Sequence, residues 1–317
     1  MGDSITAAFA ARSSLDEARD LSWSIGVGTE EQLTLPRLIQ YYNSSVTGSS
    51  TKAVFPNGIT HLPHGDYHPA TDRMNVAESS GAVHRGSMQE QWQYLSRQMK
   101  TYPDFNDSWK VMTVWMMAND VCGECSPNDP SKHYLDSWQA GYDELLTNVT
   151  ENMRNVYVNL IPTLDLSNIA RIQRDHALCS IEHKFILKEC GCIDRGNSTE
   201  LAHLDVAVHT FNTRLHQIAA SWGSKLKAMN RDGDVAIVTQ PFMEGIGKDL
   251  DLSFLNTLDC FHPSAKAHQD LAIGLWNSML CTKDRRNECG IPWTPDLPVV
   301  CPDEHSVFYT GPDVVPS

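Results

Sequence analysis

The sequence predicts an α/β protein in which helices cover both faces of one parallel sheet. Three continuous apolar runs, at 111–117, 156–161 and 235–239, have the pattern of short strands that are buried on both faces. Segments with helical spacing lie between them, and this alternation is typical of parallel sheets with crossover helices. The chain has 317 residues and is 41% hydrophobic, so it can fill the core that such a fold requires.

At the start of the chain, a small polar turn stands directly before a helical segment. Residues 2–10 run from Gly-Asp-Ser into an alanine-rich stretch, so Ser4 is expected where a strand ends and a helix begins. The free N–H groups and the dipole of a first helical turn stabilise negative charge at such a place. Taken alone, the tripeptide is weak evidence, and a plain turn in which Ser4 or Thr6 caps the helix explains it better.

The other elements follow from apolar periodicity and from turn-forming residues. Further helices are predicted at 33–42, 88–102, 135–153, 201–229 and 265–280. Residues 75–82 are predicted to form a short strand, and 43–73 a long surface loop rich in Ser, Thr, Gly, Pro and His. Residues 1–280 are expected to form one domain, and the Pro- and Cys-rich residues 281–317 a tail that packs on it.

The charge balance excludes some classes of partner. With 25 basic against 39 acidic residues, the chain lacks the basic surface that attracts nucleic acids and anionic membranes. Its longest apolar run, at 111–118, is far shorter than the ~20 residues that span a bilayer. We therefore expect no nucleic-acid partner and no membrane-spanning segment.

The cysteines indicate an oxidising compartment. Nine cysteines are many for a cytosolic protein, and four Asn-x-Ser/Thr glycosylation sites also favour secretion. These sites are at Asn43, Asn106, Asn148 and Asn197. We expect a secreted or lumenal protein whose signal segment is absent from this chain, with membrane anchorage of the full-length protein as the alternative.

Two groups of residues have metal-binding side chains, and neither is expected to hold a metal. The histidines of the 43–73 loop are His61, His64 and His68. Solvated histidines are the favoured interpretation, because no cysteine or carboxylate set completes a site. Cys122-x-x-Cys125 and Cys190-x-Cys192 have spacings that zinc uses, but disulfides are favoured in an oxidised chain. No cofactor is expected.

One set of residues combines a nucleophile, a base and an orienting carboxylate. A serine hydroxyl attacks a carbonyl once a base removes its proton, and a carboxylate fixes the tautomer of a histidine base. Ser4, Asp259 and His262 supply these groups, and the short step from Asp259 to His262 lets one loop carry both. On its own, Asp-x-x-His equally fits a helix cap followed by a surface histidine.

The oxyanion that forms in such a reaction needs N–H donors. The Asn119 side chain and the backbone N–H groups of Gly81 and Ser4 are the candidates. Asn119 and Asp120 follow a predicted strand, and α/β proteins bind ligands at the carboxyl ends of their strands. A plain turn is the alternative interpretation of this Asn-Asp pair.

The order of these residues resembles the GDSL, or SGNH, hydrolase superfamily. The matches to its four blocks are Gly2-Asp3-Ser4, Gly81, Asn119-Asp120 and Asp259-x-x-His262. Segments similar to its eukaryotic phospholipase B branch lie at 21–26, 119–122, 240–242, 259–268, 301–302 and 308–310. The resemblance covers nearly the whole chain.

The resemblance implies a three-layer α/β/α flavodoxin-like fold. It also implies metal-independent hydrolysis of acyl esters in phospholipids and lysophospholipids, with a membrane only as the source of substrate. Ser4 would be the nucleophile, His262 the base and Asp259 its partner. Gly81 and Asn119 would be oxyanion donors together with the Ser4 N–H.

Two features depart from the family pattern. Met117 stands where the family usually has glycine, which predicts crowding beside Asn119. The family's first strand precedes Gly2 and is expected to be missing, with Met1 as its last residue. The alternatives are another lipid carboxylesterase or acyltransferase, or an inactive lipid-binding relative. For an active enzyme, the rate is expected to rise as His262 loses its proton, within about a unit of pH 6.5 before environmental shifts.

Overall fold

The central sheet is parallel, as the sequence predicts. A computed structural model of the chain describes residues 1–55, 67–125, 134–179, 189–244, 246, 250–282, 294 and 296–310. Within these residues, the sheet consists of β1 (Lys110–Val114), β2 (Val156–Leu160) and β3 (Val235–Thr239), paired in that order. The register aligns the first residue of each strand with the first residue of its neighbour. The carboxyl ends of the strands therefore lie together at one edge.

The described helices agree with the apolar periodicity of the sequence. In chain order they are α1 (Ser4–Ala7), α2 (Leu35–Gln40), α3 (Pro69–Asp72), α4 (Ser87–Met99), α5 (Ala118–Gly123), α6 (Tyr134–Asn152), α7 (Ser167–Asp175), α8 (Gly191–Arg195), α9 (Ser198–Ala228) and α10 (Ala265–Leu280). All five helices predicted beyond the first segment are confirmed to within a few residues, as α2, α4, α6, α9 and α10. The start of α10 is fixed by Ser264, whose hydroxyl accepts the Ala267 N–H at 3.2 Å.

Contacts of the sheet show how the helical layers are arranged. Tyr157 and Asn159 share one face of β2, because alternate side chains of a strand point the same way. On that face, the Gln240 amide donates to the Tyr157 hydroxyl at 3.0 Å and to Asn159 Oδ1 at 2.8 Å. Asn159 Nδ2 lies 3.6 Å from the sulfur of Met279, so α10 covers this face. Helix α9 packs along β3 and contacts α6, which forms the second helical layer with it.

The first two residues extend the sheet beside β1. Gly2 forms a parallel bridge with Trp115, whose N–H donates to the Met1 carbonyl at 3.2 Å. Both backbone groups of Gly2 bond to the Gln91 side chain of α4. The Gly2 N–H donates to Gln91 Oε1 at 3.0 Å, and Gln91 Nε2 donates to the Gly2 carbonyl at 2.7 Å. A buried amide thus satisfies the groups that a neighbouring strand would pair, and α1 begins two residues later.

Residues 75–82 are not a strand, which corrects the sequence prediction. The buried guanidinium of Arg19 donates to the carbonyls of Asn75 and Ala77 at 3.1 and 2.7 Å. These two carbonyls bond to a side chain, and the segment pairs with none of the three described strands. The segment has no regular secondary structure and turns at residues 79–80, just before Gly81.

The loop predicted at 43–73 is less exposed than its composition suggests. Ser50 is fully buried, and α3 interrupts the loop near its end. His68 is exposed immediately before α3, whereas His61 and His64 lie outside the described residues.

Disulfides use most of the described cysteines. The bonds are Cys122–Cys190, Cys125–Cys192 and Cys179–Cys260. They confirm the disulfide interpretation of the two closely spaced cysteine pairs. Cys281 is also disulfide-bonded, and Cys301 is exposed and free.

Residues 296–310 of the predicted tail lie against α10. Trp276 Nε1 donates to the Val300 carbonyl at 2.8 Å, and the Tyr309 N–H donates to the Met279 carbonyl at 2.9 Å. The domain boundary at residue 280 stays a prediction. Among the described helices, none combines the length and the apolar character needed to cross a membrane.

Candidate active site

Ser4 is the first residue of α1, and the turn before it has no room for a larger residue than glycine. The Asp3 carboxylate caps the helix by accepting the Ile5 N–H at 3.0 Å. A Cβ atom on Gly2 would lie 2.4 Å from Thr6 Oγ1, far inside van der Waals contact. Local packing therefore requires glycine at position 2, and Asp3 stabilises the start of the helix that carries Ser4.

The structure brings Ser4, His262 and Asp259 together in one hydrogen-bonded line. His262 Nε2 lies 2.7 Å from Ser4 Oγ, and His262 Nδ1 lies 2.8 Å from Asp259 Oδ2. The other carboxylate oxygen of Asp259 accepts the backbone N–H groups of Phe261 and His262 at 2.8 and 3.0 Å. One carboxylate thus holds both the loop and the imidazole. In this geometry the imidazole can accept the serine proton while the carboxylate fixes its tautomer.

Asn256 organises the loop that carries this pair, and the sequence analysis missed it. Its Nδ2 donates to Asp259 Oδ1 at 2.8 Å and to the His262 carbonyl at 2.9 Å. Its Oδ1 accepts the N–H groups of Leu258 and Asp259 at 2.8 and 3.0 Å. Asparagine readily forms such local turns, so its position three residues before Asp259 was the signal that could have identified it.

Burial and charge act in opposite directions on the base. The Phe9 ring packs edge-on against the imidazole of His262 with ring centroids 5.0 Å apart. Burial alone lowers the pKa of His262, but the charge and hydrogen bond of Asp259, with the charges of Glu189 and Asp3, raise it to about 9. Burial opposes ionisation of Asp259, yet the imidazolium charge and its hydrogen bonds hold the pKa of that carboxyl below its usual value.

The predicted oxyanion donors lie in two neighbouring segments. Asn119 is the second residue of α5, and its Nδ2 donates one N–H to the Gly81 carbonyl at 2.9 Å. An amide has a second N–H, which leaves one for a ligand. The Gly81 N–H donates to the Glu78 carbonyl at 3.0 Å, so a ligand must share or displace that bond. The Ser4 N–H is the first of α1 and has no carbonyl acceptor within the helix.

Comparison with known proteins agrees with this geometry. Residues 1–275 match the family described as GDSL-like Lipase/Acylhydrolase. The chain belongs to this family. Proteins named "Phospholipase B1, membrane-associated" are similar to it: that of Mus musculus is 30% identical over 298 residues, that of Homo sapiens 29% over 296, and that of Rattus norvegicus 26% over 298. Each match covers 88% of this chain but only 18% or 19% of the relative, so the chain spans about a fifth of their length.

The position of Met117 can be compared with the glycine that GDSL hydrolases usually have there. Its φ of −150° lies outside the left-handed region, so the backbone does not require glycine. The Met117 side chain is fully buried, and the Asn119 amide still reaches the Gly81 carbonyl. The bulkier residue is accommodated by the core.

Asp120 connects the two segments that carry the candidate oxyanion donors Asn119 and Gly81. Its carboxylate is fully buried and accepts the N–H groups of Val83 and His84 at 3.0 and 2.9 Å. His84 Nδ1 lies 2.7 Å from the same carboxylate. Together with the bond from Asn119 to Gly81, these contacts fix the glycine segment against α5. Sequence reasoning noted Asp120 beside Asn119 but assigned it no role.

Glu189 is an acidic neighbour of the base that the sequence analysis did not identify. Its Oε1 lies 3.8 Å from His262 Nδ1. Glu189, Asp259 and His262 offer ligand atoms within 4.8 Å of one another, so they are the described residues that could hold a cation. A metal there would have to replace the hydrogen bond between Asp259 and His262, and acyl transfer by a serine–histidine pair needs no metal.

Proposed function

We propose that the chain is a serine esterase that hydrolyses acyl ester bonds of phospholipids and lysophospholipids through an acyl-enzyme. The observation that carries the proposal is the hydrogen-bonded line from Ser4 Oγ through His262 to Asp259, at 2.7 and 2.8 Å. Such a line makes a serine nucleophilic, and membership of the GDSL lipase/acylhydrolase family supports ester hydrolysis.

The proposed first half-reaction forms the acyl-enzyme. Ser4 Oγ attacks the ester carbonyl carbon while its proton passes to His262 Nε2, and Asp259 stabilises the resulting imidazolium. The carbonyl oxygen becomes an oxyanion that accepts N–H groups from Asn119, Ser4 and Gly81. Collapse of this intermediate breaks the ester bond, and the imidazolium gives its proton to the leaving alcohol. Losing one oxyanion donor typically costs about 3–4 kcal/mol of transition-state stabilisation.

The second half-reaction hydrolyses the acyl-enzyme. Neutral His262 takes a proton from water, whose oxygen attacks the acyl carbon on Ser4. The second tetrahedral intermediate releases a fatty acid and restores the serine. If an alcohol replaces water at this step, the product is an ester, which is how an acyltransferase would use the same residues.

The names of the relatives support the proposed substrate class, and the disulfides support the proposed location. The three relatives carry the name phospholipase B1, and this supports a phospholipid substrate. The disulfides favour a secreted or lumenal protein, because such bonds persist in oxidising compartments. We propose no nucleic-acid partner, no cofactor, and a membrane only as the source of substrate.

The first test is active-site labelling with a fluorophosphonate, which reacts with activated serines. The purified protein should be labelled on Ser4 by peptide mass spectrometry, and Ser4→Ala should remove the label. Absence of label on a folded wild-type protein would instead support an inactive lipid-binding relative.

Substrate profiling then tests the lipid specificity. Release of both fatty acids from a diacyl phospholipid would support the phospholipase B proposal. Turnover of lysophospholipid or simple lipid esters alone would point to a narrower esterase, and transfer to an added alcohol would point to an acyltransferase.

A further inference from the structure

A second carboxylate faces the nitrogen of His262 that bonds to Asp259. Glu189 Oε1 lies 3.8 Å from His262 Nδ1, whereas Asp259 Oδ2 lies 2.8 Å from the same atom. The Glu189 side chain is 22% exposed, so most of it is shielded from water. Partial shielding strengthens its attraction for a positive charge on the imidazole.

Disulfides hold the segment that carries Glu189. Cys190 follows it directly and bonds to Cys122 of α5, three residues after Asn119. Cys192 bonds to Cys125 in the same region. The segment is therefore linked covalently to the helix that carries a candidate oxyanion donor.

A further disulfide joins Cys179, at the other end of residues 179–192 (here called the insertion), to the loop that carries the base. Cys179 bonds to Cys260, the residue directly after Asp259. The cysteines on both sides of Glu189 are therefore tied to the elements of the site, and Glu189 itself lies beside His262. At this position the charge of Glu189 can act on the imidazole of His262.

The charged and titratable groups that face His262 come from several elements. Asp259 lies on the same loop, Glu189 on the insertion, Asp3 at the start of α1 and His268 on α10. Burial lowers the pKa of His268 to about 3, so it is neutral and adds no charge. Burial raises the pKa of Asp3 to about 7, so Asp3 carries only part of its charge near neutrality. Asp259 and Glu189 are therefore the two carboxylates that consistently favour the imidazolium.

We propose that Glu189 is a positioning residue that stabilises the His262 imidazolium together with Asp259. This inference rests on the proposed function, because the imidazolium forms when Ser4 gives up its proton. Glu189 touches no reacting atom in this scheme. Its charge makes the base stronger and lowers the energy of the charged state that exists in the transition state.

The decisive variant is Glu189→Gln, which keeps the shape and removes the charge. Its kcat/KM profile should shift to lower pH by about half to one unit, since His262 then loses its proton more easily. Its kcat on the alkaline plateau should fall about three- to tenfold, with KM unchanged, because the imidazolium is less stabilised. Glu189→Asp keeps the charge, so its kcat and the midpoint of its pH profile should stay close to those of the wild type.

Glu244→Gln is the matched control. It also removes a carboxylate from a buried histidine, since Glu244 Oε1 lies 2.9 Å from His216 Nε2, but Ser4 does not contact that histidine. Its pH profile should match that of the wild type. A Glu189→Gln profile that also matches the wild type, or a Glu189→Asp profile shifted as far as that of Glu189→Gln, would overturn the proposal.

Nuclear magnetic resonance separates this inference from the proposed function. The His262 ring can be titrated in Ser4→Ala, with and without Glu189→Gln, and the second protein should titrate at lower pH. The measurement needs no turnover. Wild-type protein without esterase activity would therefore refute the function, while an unchanged His262 titration would refute the role of Glu189.

Discussion

His262 bonds through both ring nitrogens, and its neighbours decide when it can act as a base. Only the neutral imidazole can take the Ser4 proton, and the carboxylate partners raise its pKa to about 9. A raised pKa keeps the proton on the ring to higher pH, so activity is lost as the pH falls through that value. We therefore expect kcat/KM to rise across the whole range from pH 5 to 8 and to level off only under alkaline conditions.

This expectation is checked by steady-state kinetics on a neutral ester, whose own charge does not change with pH. The sequence alone placed the midpoint near 6.5, the value of an isolated histidine. A plateau already reached at pH 7 would show that Asp259 and its neighbours do not raise the pKa of His262. A profile that is flat from pH 5 to 8 would argue against His262 as the base.

Asn256→Ala tests the asparagine that holds the base loop. The variant removes donors to Asp259 and to the His262 carbonyl, and an acceptor for two backbone N–H groups. Because Asn256 is buried, we expect the free energy of unfolding to fall by about 1–3 kcal/mol. The kcat/KM should fall about tenfold or more, since the imidazole is no longer held in line with Ser4.

Asn43→Ala is the control for this variant. Asn43 forms a similar local turn, in which its Oδ1 accepts the Ser45 N–H at 3.1 Å, but it is exposed. Its loss should change the unfolding free energy by no more than about 0.5 kcal/mol. Urea denaturation measures both variants, and equal effects would contradict the role assigned to Asn256.

The individual site residues differ in how far the sequence could predict them. The proximity of Ser4, Asp259 and His262 was predictable, because each proposed chemical role demands one residue type in a recognisable local pattern. Asp120 and Glu189 were not, because a carboxylate acquires its role from what the fold places beside it. Asp120 meets the N–H groups of a segment more than thirty residues away, a contact that no local pattern reports.

At the scale of elements, Gln91 supports the segment that leads into Ser4. Replacing it with alanine leaves the N–H and carbonyl of Gly2 without their side-chain partner inside the protein. We expect Gln91→Ala to lower the free energy of unfolding by about 1–3 kcal/mol and to weaken labelling of Ser4 by a fluorophosphonate. Denaturant titration measures the free energy of unfolding, and the rate of fluorophosphonate labelling measures the reactivity of Ser4.

Gln93→Ala provides the comparison on the same helix. Gln93 is exposed, so this change alters helix propensity in α4 without touching Gly2. Its unfolding free energy should stay close to that of the wild type or rise slightly. If Gln91→Ala behaves like Gln93→Ala, the pairing of Gly2 with the glutamine amide contributes nothing to stability.

The elements themselves show which sequence signals are dependable. The three strands and the long helices were predictable because a continuous apolar run or a helical stripe recurs over many residues. The strand proposed at 75–82 was wrong, because the carbonyls of Asn75 and Ala77 bond to Arg19, distant in sequence, and the segment pairs with none of the described strands. The helical start at Ser4 lasts only four residues, too few for periodicity to define its end.

Three disulfides link the segments that carry residues of the candidate active site. They join Cys122 and Cys125, which follow the candidate oxyanion donor Asn119, and Cys260, which follows Asp259, to cysteines of residues 179–192. Sequence analysis predicted that these cysteines pair but not how, because nine cysteines allow many pairings and nothing local distinguishes them. The pairing depends on the fold, since it joins residues 67 to 81 positions apart.

Removing one of these bonds tests whether they serve the site or only the stability of the fold. The double variant Cys179→Ser/Cys260→Ser lacks the bond between two residues that lie 81 positions apart. We expect its free energy of unfolding to fall by about 2–5 kcal/mol. Cys301→Ser, at an exposed free thiol, should leave both stability and activity unchanged. If the bond also positions Asp259, kcat/KM of the double variant should fall even at temperatures where it is fully folded. Thermal unfolding and kinetics on the same samples separate the two effects, because full activity in the folded variant would limit the bond to a structural role.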